Sequence, residues 1–191
     1  TAVSNGAKIA VDEINAKYDG FKVEYNPQDD EHDAEKSVNA YNTLKDWGMN
    51  VLLGTVTTAP CIAVSAETEA DGMFEITPSA SSTDVLTDAG NVFQVCFTDP
   101  NQGVASADYM AEKFADAKIG VIYKNDDAYS QGIRDTFVKE CKAKDLKVVY
   151  EGTFNTSTET DFSVQLTAAK DAGATLVFLP MYYQPASIIF A

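Results

Sequence analysis

Two hydrophobic periods alternate along the chain. In the stretch "NGAKIAVDEINAKY", apolar residues between Ala7 and Ile14 recur near the spacing of a helix, about 3.6 residues per turn. In the next stretch, "FKVEYNPQDD", Phe21, Val23 and Tyr25 alternate with polar residues, which is typical of a strand. These patterns predict a helix followed by a strand.

The following helix has recognisable signals at both ends. Asp33 can cap the segment "AEKSVNAYNTLKDWG", and Gly48 is suited to end it. The same alternation of helix and strand then recurs. The predicted strands are "NVLLG", "MFEI", "NVFQV", "KIGVIY", "KVVYEG" and "TLVFLP", and the predicted helices cover about residues 59–71, 101–115, 128–144 and 161–172, with another from Gln184.

This order of elements predicts an α/β fold. Strands that alternate with helices form parallel sheets with helices on both faces. The rhythm is interrupted in "CFTDPNQG", residues 96–103, by Pro100 and Gly103. We therefore predict two doubly wound lobes joined by a hinge, an N-terminal lobe at 1–97 and a C-terminal lobe at 98–191.

Composition narrows the classes of function. The 191 residues are 45% hydrophobic, which is ordinary for a chain that buries a core. Lys and Arg total 14 against 29 Asp and Glu, giving a formal net charge of -15. Such a field repels nucleic acid but does not exclude a small ligand. No apolar run approaches the roughly 20 residues of a membrane-spanning helix, and no signal-peptide pattern is present.

Cysteine and histidine offer little for catalysis or metal binding. Cys61, Cys96 and Cys141 are widely spaced, so we predict buried thiols rather than disulfides or a zinc site. The single histidine, His32, lies in the acidic stretch "DDEHDAE". A nucleophilic pair of Cys61 with His32 and a weak metal site in this stretch are the alternatives considered. The metal site would use Asp29, Asp30, Glu31 and His32.

Four loops at the carboxyl ends of predicted strands are unusual in composition. They are "GTVTTAP", "TPSASST", "KNDDAYSQG" and "MYYQPA". Hydroxylated residues are common at turns and helix caps, but small residues also let a ligand approach the backbone. Ligands of open α/β sheets bind at this end of the strands, so we interpret the loops as candidate ligand-binding segments. Because a phosphate-binding glycine-rich loop is also missing, we expect neither an enzyme nor a cofactor.

The chain resembles the branched-chain amino acid (Leu/Ile/Val) receptors of ABC transporters, which are periplasmic binding proteins of type I fold. The segments that carry the resemblance are "NGAKIAVDEIN", "TPSASSTDVLT", "TDPNQG", "DDAYSQG", "TDFSVQLTAAK" and "MYYQPA". The resemblance implies an extracytoplasmic receptor, periplasmic or extracellular and in some cases lipid-anchored. It would capture an amino acid between two lobes and deliver it to the permease of an ABC importer.

The resemblance also implies ligand-binding residues in the first lobe. The family's loop matching "GTVTTAP" holds the ligand α-carboxylate, which points to Thr58 with Thr57 beside it. Unpaired N–H groups of the helix starting near Ala59 would face this anion. The loop matching "TPSASST" supplies the carbonyl of Ser79 to the ammonium and the hydroxyl and N–H of Ser81 to either charged group.

In the second lobe the resemblance implies two aromatic residues, Tyr129 and Tyr182, that cap the ligand when the lobes close. Adjacent side chains face opposite ways on leaving a strand, so Tyr183 fits this role less well. Asp99 could contact the ammonium or could simply occupy the first turn of a helix beside Pro100.

Two departures from the family pattern affect the interpretation. The first strand of the family has no counterpart here, and the chain stops at Ala191 before the element that carries an acidic partner for the ammonium. We therefore expect an incomplete type I fold that belongs to a longer protein or that associates with a second copy through exposed sheet edges. The alternative function is a sensor domain for amino acids or amides in a receptor or regulator.

Overall fold

Helices and parallel strands make up the fold of residues 2–191, the part of the chain that the structure, a computed structural model, describes. This confirms the predicted α/β class. The helices are α1 (Ala2–Lys17), α2 (Ala34–Trp47), α3 (Thr58–Asp71), α4 (Asp99–Lys113), α5 (Ala128–Ala143), α6 (Ser163–Asp171) and α7 (Tyr183–Phe190). The strands are β1 (Leu52–Leu53), β2 (Glu75–Thr77), β3 (Val92–Gln94), β4 (Lys118–Lys124), β5 (Lys147–Phe154) and β6 (Leu176–Phe178), and a short 3₁₀ helix covers Thr83–Val85.

The chain divides into two compact units. Unit 1 runs to Ala80 and includes Asp84–Cys96, and unit 2 combines Ser81–Thr83 with Phe97–Ala191. Each unit contains one three-stranded sheet, in the order β1-β2-β3 in unit 1 and β5-β4-β6 in unit 2. All pairings in both sheets are parallel, as predicted.

Local capping signals fix the ends of α2 in unit 1. The Asp33 side chain accepts a hydrogen bond from the backbone N–H of Lys36 at 2.9 Å, and Gly48 ends the helix in the left-handed conformation with φ 95°. One face of α2 packs Tyr41 and Leu44 into the core. Both predicted caps are therefore confirmed.

The strand predicted at "FKVEYNPQDD" is wrong, because no strand is assigned between α1 and α2 in the described chain. The N–H and C=O of Val23 bond to the side-chain amide of Asn15, each at 2.8 Å, instead of to a strand. Phe21 is 59% exposed. A cavity of about 670 Å³ lies between Tyr25 and β1, so the segment lacks a neighbouring strand with which to form a ladder.

The core of unit 2 is built on β4. Ile119, Val121 and Ile122 of this central strand are fully buried. Phe137 of α5 stacks on Phe178 of β6 with ring centroids 4.0 Å apart. Unit 2 thus has two apolar clusters that share β4, one around Ile119 and Val121 and the other around Ile122.

The cysteines only partly follow the prediction of buried thiols. All three are free, and Cys61 and Cys141 are buried, but Cys96 is only half-buried. Its sulfur lies 3.5 Å from the carbonyl oxygen of Ala80 near the end of unit 1. Among residues 2–191, no helix is long and apolar enough to cross a membrane.

Candidate functional site

The first candidate loop in unit 1 leads into the N-terminus of α3. Thr57 occupies the N-cap position with extended backbone, but its side chain makes no capping bond. Its hydroxyl lies 2.7 Å from Nδ1 of His32 instead. Thr58 is the first residue of α3 and is only 1% exposed. The start of this helix presents backbone N–H groups and the positive end of its dipole beside two hydroxyls.

The second candidate loop in unit 1 is tied to the first by hydroxyl groups. Thr77 donates from Oγ1 to the carbonyl of Thr55 at 2.7 Å and accepts from the N–H of Ala80 at 3.0 Å. Ser79 donates from Oγ to the carbonyl of Val56 at 2.6 Å. The structure therefore brings the Thr57 and Ser79 loops together within unit 1, as the common end of parallel strands requires.

Sequence reasoning missed two residues that shape these loops. Thr77 follows Ile76 at the end of β2, and its position just before Pro78 was the available signal, since a residue before proline is held in an extended conformation. The contact of His32 with Thr57 joins residues 25 positions apart, and no local pattern predicts it.

Ser81 and Asp99 meet in unit 2. The carbonyl of Ser81 accepts a hydrogen bond from the N–H of Asp99 at 2.9 Å. Ser81 and Ser82 are 4% and 5% exposed, so both serines are equally buried. Asp99 is 1% exposed in the first turn of α4, which is the helix role that the sequence left open for it. A β-carbon added to Gly132 of α5 would lie 3.2 Å from Cβ of Asp99.

The two predicted tyrosines of unit 2 stack on each other. The ring centroids of Tyr129 and Tyr182 are 4.8 Å apart with an interplanar angle of 27°. Burial raises the pKa of Tyr129, Asp99 and Asp127 raise it further by their charge, and a hydrogen bond with Gln102 opposes the rise. The two side chains form one aromatic surface with a polar edge.

One hydroxyl group fixes the two loops that carry these tyrosines. Ser130 donates from Oγ to the carbonyl of Pro180 at 2.5 Å and accepts from the N–H of Lys124 at 2.8 Å. Asp127 caps α5 by accepting from the N–H of Ser130 at 2.9 Å. Tyr183, next to Tyr182, is 79% exposed.

The alternative chemistries find no support in unit 1. Cys61 is fully buried, and this burial raises the pKa of its thiol to about 12. A thiol held protonated in this way is a poor nucleophile. His32 contacts Thr57 rather than Cys61. Within residues 2–191, no group of three or more His, Cys, Asp or Glu side chains is arranged to hold a metal ion.

Comparisons with known proteins agree on one family. The family model described as "Periplasmic binding protein" matches residues 1–188. The Leu/Ile/Val-binding protein homolog 3 of Brucella melitensis is 31% identical over 98% of this chain. This chain spans about half the length of that relative, 51%.

Two solved structures show the same fold. A leucine-binding protein, LivK, from Thermotoga maritima superimposes with a TM-score of 0.90 at 24% identity, covering 98% of this chain and 53% of that one. The branched-chain amino acid transporter substrate-binding protein LivJ from Streptococcus pneumoniae, solved with isoleucine, gives a TM-score of 0.87 at 28% identity over 98% of this chain and 54% of that one.

Proposed function

Because the chain belongs to the periplasmic binding protein family, we propose that it binds an amino acid, branched-chain or similar, outside the cytoplasm for an ABC importer. The observation that carries the proposal is the match to a Leu/Ile/Val-binding protein along 98% of this chain. The permease of that importer is the protein partner that this function requires. The same relationship favours transport over the alternative role in sensing.

We propose that both units supply ligand-binding residues. The domains predicted at 1–97 and 98–191 stay a prediction, and residues 81–83 group with unit 2 rather than with the rest of the predicted first domain. In unit 1, the N-terminus of α3 with Thr57 and Thr58 would bind the carboxylate, because helix N-termini favour anions. Ser79 would meet the ammonium through its carbonyl. Its hydroxyl is engaged by Val56, which leaves the carbonyl as the group suited to the ligand.

In unit 2, we assign the ligand side chain to the stacked surface of Tyr129 and Tyr182, since an aromatic face suits an aliphatic group. Ser81 would contribute its hydroxyl and N–H, because its carbonyl already accepts from Asp99. Asp99 is buried beside Ser81, and as a carboxylate it would attract the ammonium.

Calorimetry with leucine, isoleucine and valine tests this assignment. Thr58→Ala and Ser81→Ala should each weaken binding by about 1.5 to 3 kcal/mol, the range for a hydrogen bond to a charged group. Ser82→Ala is the matched control, because Ser82 is as buried as Ser81 and should change affinity much less. Equal losses at 81 and 82 would contradict the assignment of Ser81.

The class of ligand is tested by a thermal-shift screen of amino acids and sugars. Sugar sites use planar polar side chains and aromatic stacking, whereas the loops of unit 1 present hydroxyls and a helix N-terminus. We expect stabilisation by at least one amino acid and by no sugar. Stabilisation by sugars alone would overturn the proposal.

We also propose that the chain self-associates through β1. Among the described strands, β1 pairs with β2 only. Leu53 of β1 is 48% exposed, and Val51 just before the strand is 55% exposed. An open apolar strand edge favours pairing with a second copy. Size-exclusion chromatography with light scattering should find dimers or larger species, and Leu53→Lys should shift the protein towards monomer. A wild-type monomer at all concentrations would contradict this.

A further inference from the structure

One acidic side chain lies in the core of unit 1 and belongs to none of the candidate loops. Glu75 is the first residue of β2, the central strand of its sheet, where it pairs with Leu52 on one side and Val92 on the other. Its exposure is 0%. Carboxylates are almost never fully buried unless a cation or several donors compensate the charge.

Two side chains of α3 contact the carboxyl group. Oε2 of Glu75 lies 2.8 Å from Oγ1 of Thr68, and Oε1 lies 3.3 Å from Sγ of Cys61. Oγ1 of Thr68 is also 3.1 Å from the carbonyl oxygen of Ser65 and 3.2 Å from Nδ2 of Asn91. The threonine hydroxyl is thus the centre of a small buried network.

The number of protons in this network favours a neutral carboxyl. The Thr68 hydroxyl has one proton, which cannot be donated to both Ser65 and Glu75. The amide of Asn91 donates to the carbonyl of Met73 at 2.9 Å, which fixes its nitrogen as a donor towards Thr68 as well. If Glu75 carries a proton on Oε2, it donates to Oγ1 of Thr68, and the threonine proton goes to Ser65. Every contact is then satisfied at once.

No cation compensates an ionised Glu75 in the described part of unit 1. The two lysines of α2, Lys36 and Lys45, are engaged by Glu31 and Asp71. The other titratable or charged groups on α3, which packs on β2, and on α2, which packs on α3, are Glu35, Tyr41 and Asp46 on α2 and Cys61, Glu67, Glu69 and Asp71 on α3. All of these are neutral or acidic, and the net charge of the chain is -15. The local field therefore opposes a further negative charge.

We propose that Glu75 is a proton-binding site that links the stability of unit 1 to pH. The neutral carboxyl joins β2 to α3, and these two elements carry both candidate loops: Thr58 begins α3, and Thr77 ends β2. Ionisation places an uncompensated charge between them. Unit 1 and its loops are thus most stable in acid and lose stability as the pH rises.

The direction of the effect follows from proton linkage. Burial raises the pKa of Glu75, and the contacts with Thr68 and Cys61 offset this only in part. A group with a raised pKa in the folded state binds its proton more tightly there than in the unfolded chain. Its stabilising contribution is complete below the unfolded pKa of a glutamic acid, about 4.3, and disappears as the pH rises through the folded pKa.

Urea unfolding of the full chain between pH 4.5 and 9 tests the proposal, with Glu75→Gln as the variant that mimics the neutral acid. Trp47 is the single tryptophan and lies in unit 1, so its fluorescence reports on this unit. We expect the unfolding constant of the wild type, divided by that of Glu75→Gln, to rise at least tenfold over this range. Between the two pKa values, one linked proton changes the constant by up to tenfold per pH unit.

Glu67→Gln is the matched control, because Glu67 lies on α3 but is exposed. The unfolding constant of the wild type divided by that of Glu67→Gln should stay nearly constant. A second measurement keeps the proposal testable if Glu75→Gln does not fold. The ¹³C chemical shift of the Glu75 side-chain carboxyl, followed by NMR in the wild type, should titrate above the ordinary range of glutamic acid. A pH-independent ratio, or titration of Glu75 at or below about 4.3, would overturn the proposal.

Discussion

Units 1 and 2 each contain a stacked pair of phenylalanines, and the two pairs differ sharply in burial. In unit 1, Phe74 and Phe93 stack at 5.2 Å and remain 43% and 49% exposed. In unit 2, Phe137 and Phe178 stack at 4.0 Å, and Phe137 is fully buried. The same alternation of helix and strand thus produces a closed core in one unit and leaves aromatic surface exposed in the other.

The cause lies in how completely each sheet is covered. Strand β4 has seven residues with paired neighbours on both edges and four consecutive buried positions. Strand β1 has two residues and one neighbour, and α1 contributes no buried residue. An apolar pattern therefore specifies where a strand can form, but burial depends on the elements that pack against it.

The largest expected difference between the units comes from their phenylalanines. Phe137→Ala should cost about 3 to 5 kcal/mol of stability, because it removes a fully buried ring. Phe93→Ala should cost about 1 kcal/mol of stability, because the Phe93 ring is half exposed and its removal breaks mainly the stacking with Phe74. Hydrogen exchange resolved by peptide would assign each loss to its own sheet. Similar losses in the two units would contradict the difference between the cores.

A glycine in α4 should be the next most sensitive position. A β-carbon at Gly103 would lie 2.1 Å from Oγ1 of Thr136 and 2.6 Å from the carbonyl oxygen of Ile133 on α5. Gly103→Ala must therefore separate the two helices, which we expect to cost about 3 kcal/mol, the upper end for overpacking. Thermal unfolding would show a lower melting temperature. An unchanged melting temperature would mean that α4 and α5 do not pack as closely as described.

A substitution in the aromatic surface of unit 2 should have a smaller effect than those at Phe137 and Gly103, and we expect this effect on ligand binding. Tyr182→Ala should weaken amino acid binding by about 1.5 kcal/mol, because it removes a ring that would contact the ligand and that stacks on Tyr129. Tyr183→Ala is the control, since Tyr183 is 79% exposed. If calorimetry finds the larger loss of affinity in Tyr183→Ala, Tyr183 rather than Tyr182 lies in the site.

The smallest effect concerns α1 of unit 1 and has the opposite sign. Nothing lies within 4 Å of a β-carbon placed on Gly6, in contrast to Gly103. Gly6→Ala should stabilise unit 1 by up to about 1 kcal/mol, because alanine is the better helix former. Urea unfolding followed by Trp47 fluorescence would detect it. A destabilised Gly6→Ala would indicate that this face of α1 is covered in solution.

Sequence reasoning succeeded where the physical cause is local. Asp33 and Gly48 bound α2 through bonds to residues within a few positions, and the sequence predicted both. The strand expected at 21–30 was wrong because a strand needs a partner, which no alternation of apolar residues can supply.

The candidate site was predictable to a similar extent. The sequence distinguished Tyr182 from Tyr183 by alternation, and their burial differs in the expected direction, although the ligand role of Tyr182 stays a prediction. Glu75 was missed because one acidic residue in "MFEI" resembles the polar side of an ordinary strand. Its burial depends on Thr68 and Cys61 of α3, which only the folded chain brings to it.

The paired bonds of Ser130 have a consequence for the cost of ligand capture. With the Lys124 and Pro180 loops joined through one hydroxyl, the rings of Tyr129 and Tyr182 are stacked before any ligand arrives. Binding then need not immobilise two independent side chains, each of which would otherwise cost about 0.5 to 1.5 kcal/mol of rotational freedom. Rigidity that was established during folding would thus appear as affinity.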